Sequence, residues 1–152
     1  MTEETTFELA TAADTETLVP MIREFYAYEG LAFDETRVRD ALGQLLGDAR
    51  LGRVWIVRAG GEAAGYVVLT FGFSLEFAGR DAFLDELFLR EAHRGGGLGR
   101  RAIETAAEAC RALGIRALHL EVERHNSAAQ EFYRRMGFTD HDRYLLTRWL
   151  DA

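Results

Sequence analysis

The segment His93-Arg94-Gly95-Gly96-Gly97-Leu98-Gly99-Arg100-Arg101 constrains the chain more than any other. It follows "AFLDELFL" (82–89), an apolar run that reads as a strand. It also opens a pattern in which Leu98, Ala102, Ile103, Ala106, Cys110 and Leu113 recur on one side at helical spacing. Strand, glycine turn and helix in that order point to an α/β architecture. The first turn of a helix carries amide N–H groups without partners and the positive end of the dipole. Glycines leave those amides uncovered, so the segment predicts an anion site, phosphate above all.

The flanking patterns supply the rest of the architecture. "TFELA" (6–10) reads as a first strand. Asp14 is expected to cap a helix through Tyr28 that carries Leu18, Ile22 and Phe25 on one side, with Pro20 near its start. Asp34 caps a second helix with Val38, Leu42, Leu45 and Leu46 aligned, ending near Gly47. "VWIV" (54–57) and "AGYVVLTFGF" (64–73), joined by "AGGEA", predict a hairpin. Beyond the glycine segment come a strand "RALHLEVE" (116–123), a helix "SAAQEFYRRM" (127–136) and a last strand "DRYLLTRWL" (142–150). The order is β-α-α-β-β-β-α-β-α-β, an α/β chain around one central mixed sheet. Residues 1–152 are expected to form a single domain.

Charge and composition then remove classes of function. A net charge of −7 disfavours a nucleic-acid partner. The one cysteine, Cys110, excludes an intrachain disulfide and a thiolate cluster, and its place on the apolar side of a helix makes it a core residue. "MTEETTFELA" lacks the apolar centre of a signal peptide, and no run approaches the ~20 apolar residues of a membrane span. A cytoplasmic chain with no membrane partner is expected. His119 alternates with Leu118 and Leu120, and His125 falls in a loop. Neither has acidic or cysteine neighbours at ligand spacing, so both read as ordinary residues and no metal is expected.

Three readings of the glycine segment compete. A mononucleotide loop needs Gly-Lys-Ser/Thr, whereas Gly99 is followed by Arg100 and Arg101. Gly97-Leu98-Gly99-Arg100-Arg101-Ala102 fits the dinucleotide pattern G-x-G-x-x-A, with Glu121 and Glu123 about twenty residues on. It begins too late in the chain, however, to leave room for the remaining strands of a doubly wound sheet. The third pattern, R/Q-x-x-G-x-G/A, is matched by Arg94, Gly97 and Gly99. A second motif accompanies it in "HNSAAQEFYRRMGF" (125–138), through Asn126, Ala129, Tyr133, Gly137 and Phe138. On these residues, and in its element order from end to end, the chain resembles the GNAT superfamily of N-acetyltransferases. One departure is His93, where that family commonly has an aromatic residue.

The resemblance implies acetyl-CoA as co-substrate. Backbone groups of Leu87, Phe88 and Leu89 would pair with its pantetheine arm. Arg94 and the amides of Gly95, Gly96, Gly97, Leu98, Gly99 and Arg100 would hold the pyrophosphate, and Asn126 and Ser127 would lie along the arm. Tyr133 would protonate the departing thiolate, which suits a phenol of pKa near ~10. An alkylammonium acceptor must first lose a proton, and three carboxylates compete to take it. Asp85 and Glu86 are adjacent in one strand, so at most one faces the acetyl group. Polyamine acetyltransferases carry an acidic pair in the matching strand. "LEVERHNSAAQEFY" resembles ribosomal-protein N-terminal acetyltransferases, which would make Glu121 the base. "MIREFYAYEGL" resembles diamine acetyltransferases, so Tyr28 and Glu29 are expected on the acceptor wall, with Ser74 and Glu76 opposite. The expected activity is acetyl transfer to a primary amine, with a small cationic amine as acceptor. A peptide N-terminus or lysine side chain, and a non-catalytic acyl-CoA sensor, are the alternatives. "RYLLTRWL" offers an apolar surface for a homodimer.

Overall fold

The computed structural model describes residues 4–151. Its elements are β1 (Thr5–Leu9), α1 (Thr15–Glu29), α2 (Glu35–Gly47), β2 (Gly52–Ala59), β3 (Glu62–Ser74), β4 (Gly79–Leu89), α3 (Leu98–Ala112), β5 (Ala117–His119) and α4 (Ser127–Arg135). Short 3-10 turns, Ala12–Asp14 and Glu91–His93, precede α1 and follow β4. The chain divides into two compact units, one running to Glu121 and one from Val122.

The first unit holds the whole sheet, in the order β1-β2-β3-β4-β5. Neighbours from β1 to β4 are antiparallel, and β5 lies parallel to β4. Because paired residues share a face, the registers assign the two sides. Val54, Ile56, Tyr66, Val68 and Phe88 face α1 and α2, where they pack with Leu18, Val19, Met21, Ile22 and Leu42. Leu18 and Met21 are fully buried, each contributing about 1.5–3 kcal/mol. The other face carries Val57, Val67, Leu69, Ala82 and Leu84 and backs onto α3, whose Ala102, Ile103 and Ala106 are buried.

Local signals account for most element ends. The Asp34 carboxylate accepts the Arg37 amide at 3.2 Å and caps α2 as expected. Asp14 does not cap α1. Its carboxylate turns back to accept the Thr11 amide at 2.8 Å, closing a capping box on the preceding 3-10 turn. Gly30 ends α1 with φ of 71°, a left-handed conformation suited to glycine.

Two expected strands need correction. The strand at 116–123 is only Ala117–His119, because β4 pairs with it only from Asp81 to Phe83. The strand at 142–150 does not form, so the observed order ends at α4. Leu145, Leu146 and Trp149 are 74%, 90% and 76% exposed. Apolar content favours a strand only when a neighbouring strand supplies the ladder, and none pairs with this segment among the described residues. No helix among the described residues is long and apolar enough to cross a membrane.

Candidate functional site

The site begins with an irregularity in the sheet. Val68 pairs with Glu86 and the next β3 residue, Leu69, pairs with Leu84, so Asp85 is an extra residue in a β-bulge. Strict alternation cannot be carried through this point. Glu86 shares the α1 face with Tyr66, Val68 and Phe88.

There Glu86 is held by two phenols. Tyr26 of α1 and Tyr66 of β3 each donate to its carboxylate at 2.7 Å, one to each oxygen. Burial pushes the Glu86 carboxyl above the usual glutamate range, while the two phenols pull it partly back by stabilising the ionised form. Burial and the facing carboxylate raise both tyrosines, so they stay protonated donors. Edge-to-face contacts from Phe25 to Tyr26 and Tyr66, with centroids 6.0 and 6.3 Å apart, fix the aromatic wall around the carboxylate. Asp85 reaches solvent, yet the surrounding protein still raises its carboxyl by burial. Glu121 is exposed and follows the end of β5. The structure thus separates the three acids into a clamped one, a bulged one and a solvated one.

Beyond Phe83 the sheet opens. β5 pairs with β4 only at Asp81, Ala82 and Phe83, leaving the β5-side edge of Leu84–Leu89 without a ladder among the described residues. That edge includes Leu87, Phe88 and Leu89, and it runs directly into the glycine segment. The Arg90 amide donates to the Ala64 carbonyl at 2.8 Å, and its guanidinium pairs with Glu24 of α1, so the segment starts from an anchored point. Gly95 and Gly97 both have φ of 82°. Gly97 is the N-cap of α3 and supplies no side-chain acceptor, and the first turn carries no acid. The first amides of α3 are therefore left for an outside acceptor, and Gly99 and Arg100 lie in that turn.

Arg94 donates to the Leu89 carbonyl at 2.8 Å and stacks over Tyr28, 4.6 Å from its centroid. Tyr28, expected on the acceptor wall, thus joins the end of α1 to the glycine segment. Glu29 is exposed beside it. It is Tyr26, two residues earlier, that reaches the acidic pair. Nothing in the local sequence distinguishes Tyr26 from Tyr28 as the partner of a residue sixty positions away.

The glycine segment yields a direct test. A Cβ at Gly96 meets no atom within 4 Å and its backbone is not left-handed, so Gly96→Val costs the fold little. A ligand lying over the amides would meet the new side chain. We expect a rise of about 10–100-fold in the acetyl-CoA dissociation constant by calorimetry, with melting temperature unchanged within a degree or two.

In the second unit, the Asn126 side chain accepts the Ala129 amide at 3.2 Å and caps α4, whose first residue is Ser127. Tyr133 is half-buried in α4. Its ring contacts Phe132 at 5.4 Å and Phe138 at 5.9 Å.

Comparison with known proteins gives the arrangement a context. The model of the acetyltransferase (GNAT) family matches residues 17–138. A thialysine N-epsilon-acetyltransferase of Bos taurus is 32% identical over 89 residues, 56% of this chain and 52% of that protein. The matches span only 38% to 52% of the lengths of the curated relatives. Among solved structures, an integron cassette protein from the mobile metagenome of Cole Harbour Salt Marsh is 38% identical. It superposes with a TM-score of 0.84 over 95% of this chain and 90% of its own. An aminoglycoside N-acetyltransferase, AAC(6')-Iy, solved in complex with CoA, reaches a TM-score of 0.84 at 14% identity over 98% of this chain and 97% of its own, a likeness of fold.

Proposed function

Because this chain belongs to the acetyltransferase (GNAT) family, we propose that it moves an acetyl group from acetyl-CoA to a primary amine that is small and cationic. The observation that carries the proposal is the open β4 edge, Leu84–Leu89, leading into the uncapped, glycine-walled start of α3. An edge with unpaired backbone groups suits an amide-bearing arm, and uncovered helix amides beside Arg94, Arg100 and Arg101 suit a pyrophosphate. The family match runs through both compact units, which supports reading residues 1–152 as one acetyltransferase domain.

Acetyl-CoA supplies the acetyl group as a thioester, and the remaining tasks fall to this chain. An acceptor ammonium with pKa near ~10.4 must lose a proton before it attacks. Glu86 takes that proton, directly or through one water, because its raised carboxyl is a stronger base than an ordinary glutamate. Tyr26 and Tyr66 hold its two oxygens in place. Backbone N–H groups along the β4 edge are the donors this reading assigns to the negative charge that collects on the acyl oxygen. To Tyr133 the family resemblance assigns the return of a proton to the sulfur, and to Asn126 and Ser127 a place along the arm. The carboxylates and the aromatic wall favour a cation, and the name of the bovine relative, a thialysine acetyltransferase, favours a small amine. The exposed apolar residues of 142–150 support a homodimer, and the acidic sequence supports a cytoplasmic chain without a nucleic-acid partner.

The test is CoA-thiol release from acetyl-CoA against diamines and polyamines, aminoglycosides, free amino acids and short peptides. Turnover confined to small amines confirms the proposal. Turnover confined to peptides moves the acceptor to a protein N-terminus or lysine. Acetyl-CoA binding without turnover on any amine overturns catalysis in favour of a sensor.

A further inference from the structure

A second constellation lies on the acceptor-facing side of the sheet, beyond the residues assigned above. Phe83 pairs with Thr70 and with His119, and Asp81 pairs with Gly72, so all three side chains share the Glu86 face. Asp81 is only 8% exposed, the one charged residue among the described buried set. Its Oδ2 lies 3.1 Å from His119 Nε2. Its Oδ1 sits over Gly72, where a Cβ would approach to 2.9 Å, so the glycine makes room for the carboxylate.

The imidazole is flanked by two rings, with centroids 4.5 Å away at Phe77 and 5.1 Å away at Phe83. Nδ1 has no hydrogen bond among the described residues. No buried side-chain nitrogen or oxygen among the described residues lacks a partner, so Nδ1 reaches solvent. With Nε2 engaged by Asp81, Nδ1 is the ring nitrogen that faces outward. A staple between β4 and β5 needs only apolar side chains, whereas this one buries a carboxylate beside an imidazole.

We propose that Asp81, His119, Phe77 and Phe83 form a subsite for a second ammonium group of the acceptor. The Asp81 carboxylate supplies the negative charge, His119 Nδ1 a polar atom at the surface, and the Phe83 ring, 40% exposed, a face for a cation. Phe83 and Glu86 pair with Thr70 and Val68, two residues apart on β3 because Asp85 is bulged, a rise of about 7 Å, so the two groups suit the ends of an α,ω-diamine or a diamino acid. This rests on the amine-acetyltransferase reading and narrows its substrate class.

The test compares α,ω-diamines with monoamines of equal chain length at saturating acetyl-CoA. Native protein should favour the diamine in KM by about tenfold. Asp81→Asn keeps an oxygen acceptor for His119 and removes the charge. It should raise the diamine KM about tenfold, leave the monoamine KM within about twofold, and leave kcat unchanged for both. A second readout does not depend on turnover: the His119 imidazole NMR signals should shift on adding diamine without acetyl-CoA, and not with the monoamine. Equal loss for both amine classes, no native preference, or no His119 shift with diamine overturns the subsite. A His119 shift with no acetylation of any amine retains the subsite and rejects the catalytic reading instead. Should Asp81→Asn fail to fold, the His119 signals of the native protein with diamine against monoamine decide the matter alone.

Discussion

Glu86→Gln should lower kcat/KM by about 10²–10³-fold without weakening the fold at neutral pH. The glutamine retains the size of the glutamate and one carbonyl acceptor for a phenol, but it cannot take a proton. Burial raises the Glu86 carboxyl, so ionising it costs the folded state. A raised folded-state pKa means stability that is full below the unfolded pKa, about 4.3 for Glu, and is lost as pH rises through the folded value. Ionised Glu86 carries that cost in the fold, and the neutral glutamine avoids it. Melting temperature at pH 7 should hold or rise while activity falls, a combination that a merely structural residue would not give.

The same carboxyl sets the acid side of the pH profile. Activity requires ionised Glu86, so kcat/KM should decline on acidification at a higher pH than an ordinary glutamate would set. Tyr26→Phe removes one donor to the ionised form and should move that limb higher still. Asp85→Asn and Glu121→Gln are the necessary comparisons. If either loses more activity than Glu86→Gln, the base is that residue and the phenol clamp is structural.

The contrast among these acids shows what the sequence conveys. Arg94 to Gly99 and Asn126 to Phe138 are contiguous patterns, and the family was legible from them. The helices were legible for the same reason: an apolar stripe at helical spacing is a local property. The Glu86 clamp was not, because Tyr26 and Tyr66 lie 60 and 20 residues away and only the packing of α1 on the sheet selects them. His119 read as an ordinary strand residue, since its partner Asp81 is 38 positions distant. The bulge at Asp85 depends on how β3 pairs with β4 and breaks the alternation on which the two-acid argument rested. The segment 142–150 is apolar enough for a strand, but strand formation is a property of two chains side by side.

Tyr133→Phe should reduce kcat by about 10²-fold or more and leave the KM for acetyl-CoA within about threefold. The substitution keeps the ring that contacts Phe132 and Phe138, so the packing within the second unit is retained and only the hydroxyl is lost. A thiolate can leave without help but leaves faster when a proton arrives as the bond breaks. A phenol with pKa near ~10 stays protonated at neutral pH and can supply it. The deficit should therefore appear in kcat, where an interaction confined to the transition state is felt. An unchanged kcat would make Tyr133 a packing residue and return the leaving-group proton to water. A raised KM at constant kcat would place the hydroxyl in ground-state binding. Rapid-quench measurement of acetylated amine separates these outcomes from slow product release, since a general acid lost from the chemical step also abolishes any burst.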